Sequence, residues 1–196
     1  MKFTFSAIAL LAFSTLCSSS ATYAADKEPV KIIEIKLETV NYPKEVLAGG
    51  GNKTLDKDWY QIEVKFSTDE ELTEELQVKI FMEGIDFMKE DDFVTLVCEQ
   101  TFINVPEGKE HYAYAYLSPG SALRYGGKKG KDVKDSNVHV DILVNGRSAA
   151  KLDFKKGSED NWHSSGLQVP SVLVPLTDSP FWLSLVRKVN QSKPKN

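Results

Sequence analysis

The sequence is poor in the residues that most often declare a function. It has two cysteines, Cys17 and Cys98, and three histidines, His111, His139 and His163. So few cysteines exclude a disulfide scaffold and any zinc site built from several thiolates. The histidines lack the H-x-x-x-H spacing that places two imidazoles on one helical face for a metal. Basic residues are outnumbered, 24 Lys and Arg against 28 Asp and Glu. Nucleic acid is therefore not an expected partner, because phosphate binding starts from a basic surface.

Long apolar runs are also scarce. One, FTFSAIALLAFSTLC over residues 3–17, follows Lys2 and precedes a Ser-rich stretch ending ATYA-A. That order is the pattern of an export signal rather than of a spanning helix. Residues 1–24 are read as a signal peptide cleaved after Ala24, with Ala21 as the second site. Leu16 before Cys17 argues against lipid attachment at that cysteine. Cleavage removes Lys2, Cys17 and no acidic residue, so the acidic excess rises by one and Cys98 has no partner within the chain. No second apolar run is long enough to span a bilayer, so the mature chain is expected to be periplasmic or secreted, with no transmembrane segment. At roughly 170 residues it can bury about 70% of its unfolded surface and needs no disulfide to hold it.

What the sequence has in abundance is alternation. WYQIEVKFS (59–67) sets Tyr60, Ile62, Val64 and Phe66 against Gln61, Glu63 and Lys65. The same two-residue period runs through IIEIKLETV (32–40), LQVKIFME (76–83), FVTLVCEQTFINV (93–105), HYAYAYL (111–117) and NVHVDILV (137–144). Asn145-Gly146 then marks a hairpin returning as RSAAKLDF. Polar loops separate these runs: AGGGNKTLDKD (48–58), the acidic STDEELTEE (67–75), expected as a loop or helical turn, and the basic GGKKGKDVKDS (126–136). About seven short strands with no convincing helix among them predict an all-β antiparallel sandwich over residues 25–155.

Residues 156–196 are read as a Pro-punctuated C-terminal tail. Pro170 and Pro175 forbid a continuous helix through the first half and allow an extended edge strand or a polyproline-like run. In the second half, Ser179 before Pro180 supplies an N-cap and a favoured first helical residue. A short helix over 180–189 would align Phe181, Leu185 and Val189, with Trp182 and Val186 beside them. Packing back on the sandwich is the preferred reading. The alternative makes Phe181, Trp182, Leu185 and Val189 a docking stripe for a partner.

PEGKEHYAYAY (106–116) resembles the E–F corner of immunoglobulin-like and fibronectin type III-like sandwiches, and the resemblance extends over about residues 30–155. It implies a turn at Glu107-Gly108, a corner position for Tyr112 with its hydroxyl bonded to upstream backbone, and Tyr114 and Tyr116 facing inward. The inter-sheet disulfide of antibody domains is absent. Because Ala113 and Ala115 would fill a core poorly, the tyrosines are expected to be core. The alternatives are a ligand platform made by Tyr112, Tyr114 and Tyr116, or a packing surface for the tail.

Candidate chemistry is thin. Cys98 with a histidine would make a thiol nucleophile and base only if the fold joined them, and a strand cysteine is more often a small hydrophobe. HSSG (163–166) lacks the glycine elbow of many serine hydrolases. Glu90-Asp91-Asp92 and Asp69-Glu70-Glu71 lack calcium-loop spacing. Arg124, Lys128, Lys129, Lys131 and Lys134 are read as solvated loop charges. No catalytic residue, metal ligand or cofactor is assigned. The expected function is a non-catalytic exported envelope protein that binds a protein or polysaccharide through loops or a sheet face. The alternatives are a structural subunit or accessory protein of a surface assembly joined by strand addition, or a hydrolase or thiol enzyme whose site the spacing hides.

Overall fold

The structure, a computed structural model, describes residues 28–42, 58–89, 92–127, 130, 132–155, 161–164 and 166–182. The expected signal peptide and the expected helix beyond Trp182, including Leu185 and Val189, lie outside these residues. The described chain is mostly β. Strands β1 (Val30–Val40), β2 (Trp59–Asp86), β3 (Asp92–Leu117), β4 (Val138–Val144), β5 (Arg147–Phe154), β6 (Leu167–Pro170) and β7 (Leu173–Pro175) form one seven-stranded sheet. Its hydrogen-bonded path runs β5-β4-β2-β3-β6, with β1 paired to β2 and β7 to β3.

Two strands organise everything else. β2 has 28 residues and β3 has 26, and they pair antiparallel from Tyr60↔Leu117 to Asp86↔Asp92. This corrects two expectations. The acidic segment 67–75 is not a separating loop but part of β2, and no turn occurs at Glu107-Gly108, since Gly108 pairs with Thr68. The register instead slips between Phe66 and Thr68 and between Thr68 and Leu72. Extra residues at such bulges bend a strand and sharpen its twist, so a long strand can turn a corner without ending. Thr68, fully buried, pins that corner: its hydroxyl donates to the Pro106 carbonyl at 2.8 Å and meets His111 Nε2 at 3.0 Å.

On one side of the corner, residues 59–68 of β2 lie between β1 and the second half of β3. On the other, residues 76–82 lie between β4 and the first half of β3. Ile62, Val64 and Phe66 from the first half share one core with Val78, Ile80 and Met82 from the second. β1 and β5 approach each other without pairing. The sheet is therefore folded over on itself around a single core, and each long strand serves both layers.

One helix, α1 (Pro119–Tyr125), was not expected. Ser118 caps it by accepting the Ser121 N–H at 3.1 Å, and Pro119 stands in the first turn. The same Ser-Pro signal occurs at Ser179-Pro180; in a seven-residue link between strands no helical periodicity accompanies it. Beyond residue 160 the described chain holds two short strands and two single 3-10 turns, at Trp162–Ser164 and Leu176–Asp178. β6 adds parallel to residues 94–97 of β3, and β7 adds antiparallel to residues 115–117. Pro170 and Pro175 each end one of these short strands, where a missing N–H is tolerated. Among the described residues no helix is long and apolar enough to cross a membrane.

Candidate functional site

The alternation of HYAYAY is present, but its polarity is the reverse of that expected. Ala113 and Ala115 face the core, at 1% and 0% exposure, beside their cross-strand partners Val64 and Ile62. The tyrosines stand on the opposite face of the sheet, where Tyr112 and Tyr114 are at least partly exposed and Tyr116 is buried. Small residues suffice inside because the core volume at this level is supplied by Ile62, Val64 and Phe66, all fully buried. Tyr112 does not take the corner role expected of it: its hydroxyl donates to Glu110 at 3.2 Å, not to upstream backbone.

Register builds the outer face in rows across β1, β2 and β3. Glu34 aligns with Lys65 and Tyr112, Lys36 with Glu63 and Tyr114, and Glu38 with Gln61 and Tyr116. Two columns are thus polar and the third is aromatic. The polar groups satisfy one another. Lys36 meets Glu34 at 3.0 Å and Glu63 at 3.5 Å, Lys65 meets Glu110 at 2.6 Å, and the Gln61 amide donates to Glu38 at 3.1 Å. The Lys65 ammonium holds the Glu110 carboxyl below its ordinary range, and Glu110 raises Lys65 in return.

The aromatic column is a ladder. Tyr112 and Tyr114 have near-parallel rings 6.2 Å apart, and Tyr114 and Tyr116 follow at 6.4 Å. Exposure falls along it, from 38% at Tyr112 through a half-buried Tyr114 to 1% at Tyr116. The cover at the buried end is Phe181, whose ring lies 4.7 Å from Tyr116 with planes 10° apart and meets Trp59 edge-on at 5.7 Å. Burial, with Glu63 nearby, pushes the Tyr114 hydroxyl up to about 12, and burial raises that of Tyr116 as well. Both stay protonated and can only donate or accept hydrogen bonds. At its open end the ladder borders a groove of about 320 Å³, whose walls include Phe102, Tyr112, Tyr114, Pro175 and Leu176.

The predicted docking residues divide. Phe181 is buried against the sheet, whereas Trp182 is 44% exposed. Ser179 holds the approach, donating to the Leu176 carbonyl at 2.8 Å and accepting the Phe181 N–H at 3.2 Å. Phe102, Leu176 and Trp59 belong to this surface and were not singled out from the sequence. Only pairing between distant segments assembles them.

The other candidates stand apart from the ladder or are sequestered. Cys98 is buried beside the Gln100 amide, and burial pushes its thiol up to about 11. His111 is occupied with Thr68 at the corner. His139 and His163, 24 positions apart in sequence, stack at 3.7 Å, and His139 Nδ1 meets Asp153 at 2.7 Å. Among the described residues no group of three or more His, Cys, Asp or Glu side chains could hold a metal ion. Arg124 is paired with Asp86 rather than free in the basic loop.

Fold and groove together define a mostly β protein built on one folded sheet, with an aromatic groove on an outer face. A protein-family model matches residues 21–187, and the chain belongs to that family. The crystal structure of a protein from Akkermansia muciniphila superposes with a TM-score of 0.61 at 25% identity, covering 79% of this chain and 87% of that one. A putative beta-galactosidase from Bacteroides fragilis aligns at 9% identity and a TM-score of 0.38, over 64% of this chain and 17% of its own length, which is too slight to carry an argument. No curated protein matches the sequence.

Proposed function

We propose that this chain is a non-catalytic, exported envelope protein with an immunoglobulin-like sandwich architecture, which binds a protein or polysaccharide partner at the outer face marked by Tyr112 and Tyr114. The carrying observation is that ladder, left open at one end beside a groove while its other end is covered by the protein's own Phe181. A tyrosine column on a solvent-facing sheet contributes contact area at little entropic cost, and that is how aromatic residues serve at interfaces. The leader-like first 24 residues support export. The buried, high-pKa thiol of Cys98 lends no support to a thiol enzyme.

The test is a screen of immobilised envelope polysaccharides and peptides against the protein and a Tyr112→Ala/Tyr114→Ala variant of unchanged circular dichroism. Binding that disappears in the variant is the expected result. Equal binding by both proteins, or turnover of a bound ligand, would remove the proposal. An assembly-subunit reading draws on the edge of β3 between its pairings with β6 and β7, where no described strand adds to Cys98–Tyr114. It requires concentration-dependent association that survives the double variant.

A further inference from the structure

The covered end of the ladder shows what kind of group the open end is shaped to hold. At Tyr116 the occupant is a side chain of the chain's own Ser179-Pro180-Phe181 segment, which arrives from β7 and lays an aromatic ring parallel to the tyrosine. The column then continues through Tyr114 and Tyr112 with the same near-parallel ring orientation and nearly constant spacing of 6.4 and 6.2 Å. In an extended peptide, side chains on one side recur every two residues, about 6.6 to 6.8 Å. Alternate side chains of a strand laid along this column would therefore fall in register with its rungs. Phe102, Pro175 and Leu176 supply apolar walls beside them.

The polar surroundings discriminate between ligand classes. A sugar chain needs donors and acceptors for its hydroxyls, and several of those beside the rings are already engaged within the protein. Lys65 and the Tyr112 hydroxyl both go to Glu110, Glu99 pairs with Lys79, and the Gln100 amide donates to the Tyr114 carbonyl at 3.0 Å. A hydroxyl-rich ligand would have to compete with these pairs, whereas aromatic and proline side chains displace only water.

We infer that the groove beside Tyr112 and Tyr114 binds an extended peptide segment carrying aromatic or proline side chains at alternate positions. This rests on the binding function proposed above and names its ligand class. Extended strands whose alternate side chains enter pockets beside a sheet are an established mode of peptide recognition.

The experiment is isothermal titration of the purified full chain with three probes: an end-capped Ser-Phe-Pro-Phe-Lys-Phe-Lys peptide, a peptide of the same composition with its three phenylalanines adjacent, and chitohexaose. The alternating peptide should bind at least tenfold more tightly than the rearranged one. Tyr112→Ala, which alters an exposed side chain, should weaken it at least tenfold while lowering the melting temperature by no more than about 4 °C. Should Tyr114→Ala fail to fold, Tyr112→Ala and Phe102→Ala suffice for the test. Equal binding of the two peptides would overturn the inference. Tyr112-dependent binding of chitohexaose alone would overturn the peptide class but keep the binding function. Self-association in sedimentation that Tyr112→Ala abolishes would also overturn it, assigning the groove to a second copy. If neither peptide nor sugar binds and the protein stays monomeric, inference and proposed function fall together.

Discussion

The imidazoles of His139 and His163 lie parallel, with centroids 3.7 Å apart and planes 4° apart. His139 comes from β4 and is 4% exposed, while His163 comes from the short turn that precedes β6. Asp153 of β5 meets His139 Nδ1, leaving His139 Nε2 and His163 Nδ1 buried without hydrogen-bond partners. Phe81 of β2 packs against both rings, Trp162 meets His163 edge-on, and Lys151 and Asp141 complete the charged surroundings. Two parallel rings this close do not aim their lone pairs at one point, so the pair is not arranged as a metal site. It is a clasp holding the chain onto β4 before it crosses to β6.

The clasp has a pH dependence of definite sign. Burial, and then His139, lower the pKa of His163. The unfolded chain therefore takes up a proton near the ordinary histidine value of about 6.5, while the folded chain resists it. The stabilisation is fully present above about 6.5 and is lost as pH falls through the lower folded-state value. Thermal melts between pH 7.5 and 5 should show a declining melting temperature, and a shallower decline in His163→Phe, which keeps the stacked ring without the titration. Parallel curves for the two proteins would refute the assignment.

Phe181 and Trp182 are adjacent, yet only the first is buried. Phe181→Ala uncovers Tyr116 and the edge of Trp59. For an aromatic at the margin of a core, the loss should be about 3 kcal/mol, the low end for such truncations. Trp182→Ala should cost no more than about 0.5 kcal/mol. Urea denaturation of both variants checks this, and equal losses would mean that the tail is held in some other way.

Ala115 and Tyr112 invert the usual ranking by size. Ala115→Leu forces added methylenes between β3 and the opposite half of the folded sheet and should destabilise by about 1 to 3 kcal/mol. Tyr112→Ala, on the outer face, should lose less than about 1 kcal/mol. The opposite order in denaturant melts would place the tyrosines inside after all.

Cys98 should resist alkylation in the folded protein, because a thiol at about 11 is almost wholly protonated at pH 8 and is shielded by its burial. Iodoacetamide labelling followed by mass spectrometry should show modification only on unfolding in urea. Rapid labelling of the native protein would reopen a reactive-thiol role.

Much of this molecule is legible residue by residue. The period of two in 59–66 and 76–82 places each side chain on the correct one of two faces, because pleat alternation is a property of the backbone alone. The hairpin at Asn145-Gly146 follows equally from local chemistry, both residues adopting the positive φ such a turn demands, 49° and 75°.

What alternation cannot state is which face is covered. HYAYAY reads the same whether its tyrosines or its alanines are buried, and only the fold settles it, by placing Ala113 and Ala115 in the core beside their cross-strand partners Val64 and Ile62. Likewise, nothing within 67–75 or 106–108 announces that strands continue there, because the bulges exist only in the pairing of two segments some 40 residues apart in sequence. The stack of His139 on His163 and of Phe181 on Tyr116 has the same origin. Local periodicity determined the elements and their faces; the long-range pairing of β2 with β3, and the fold it makes at Thr68, decided which surfaces became core, clasp and groove.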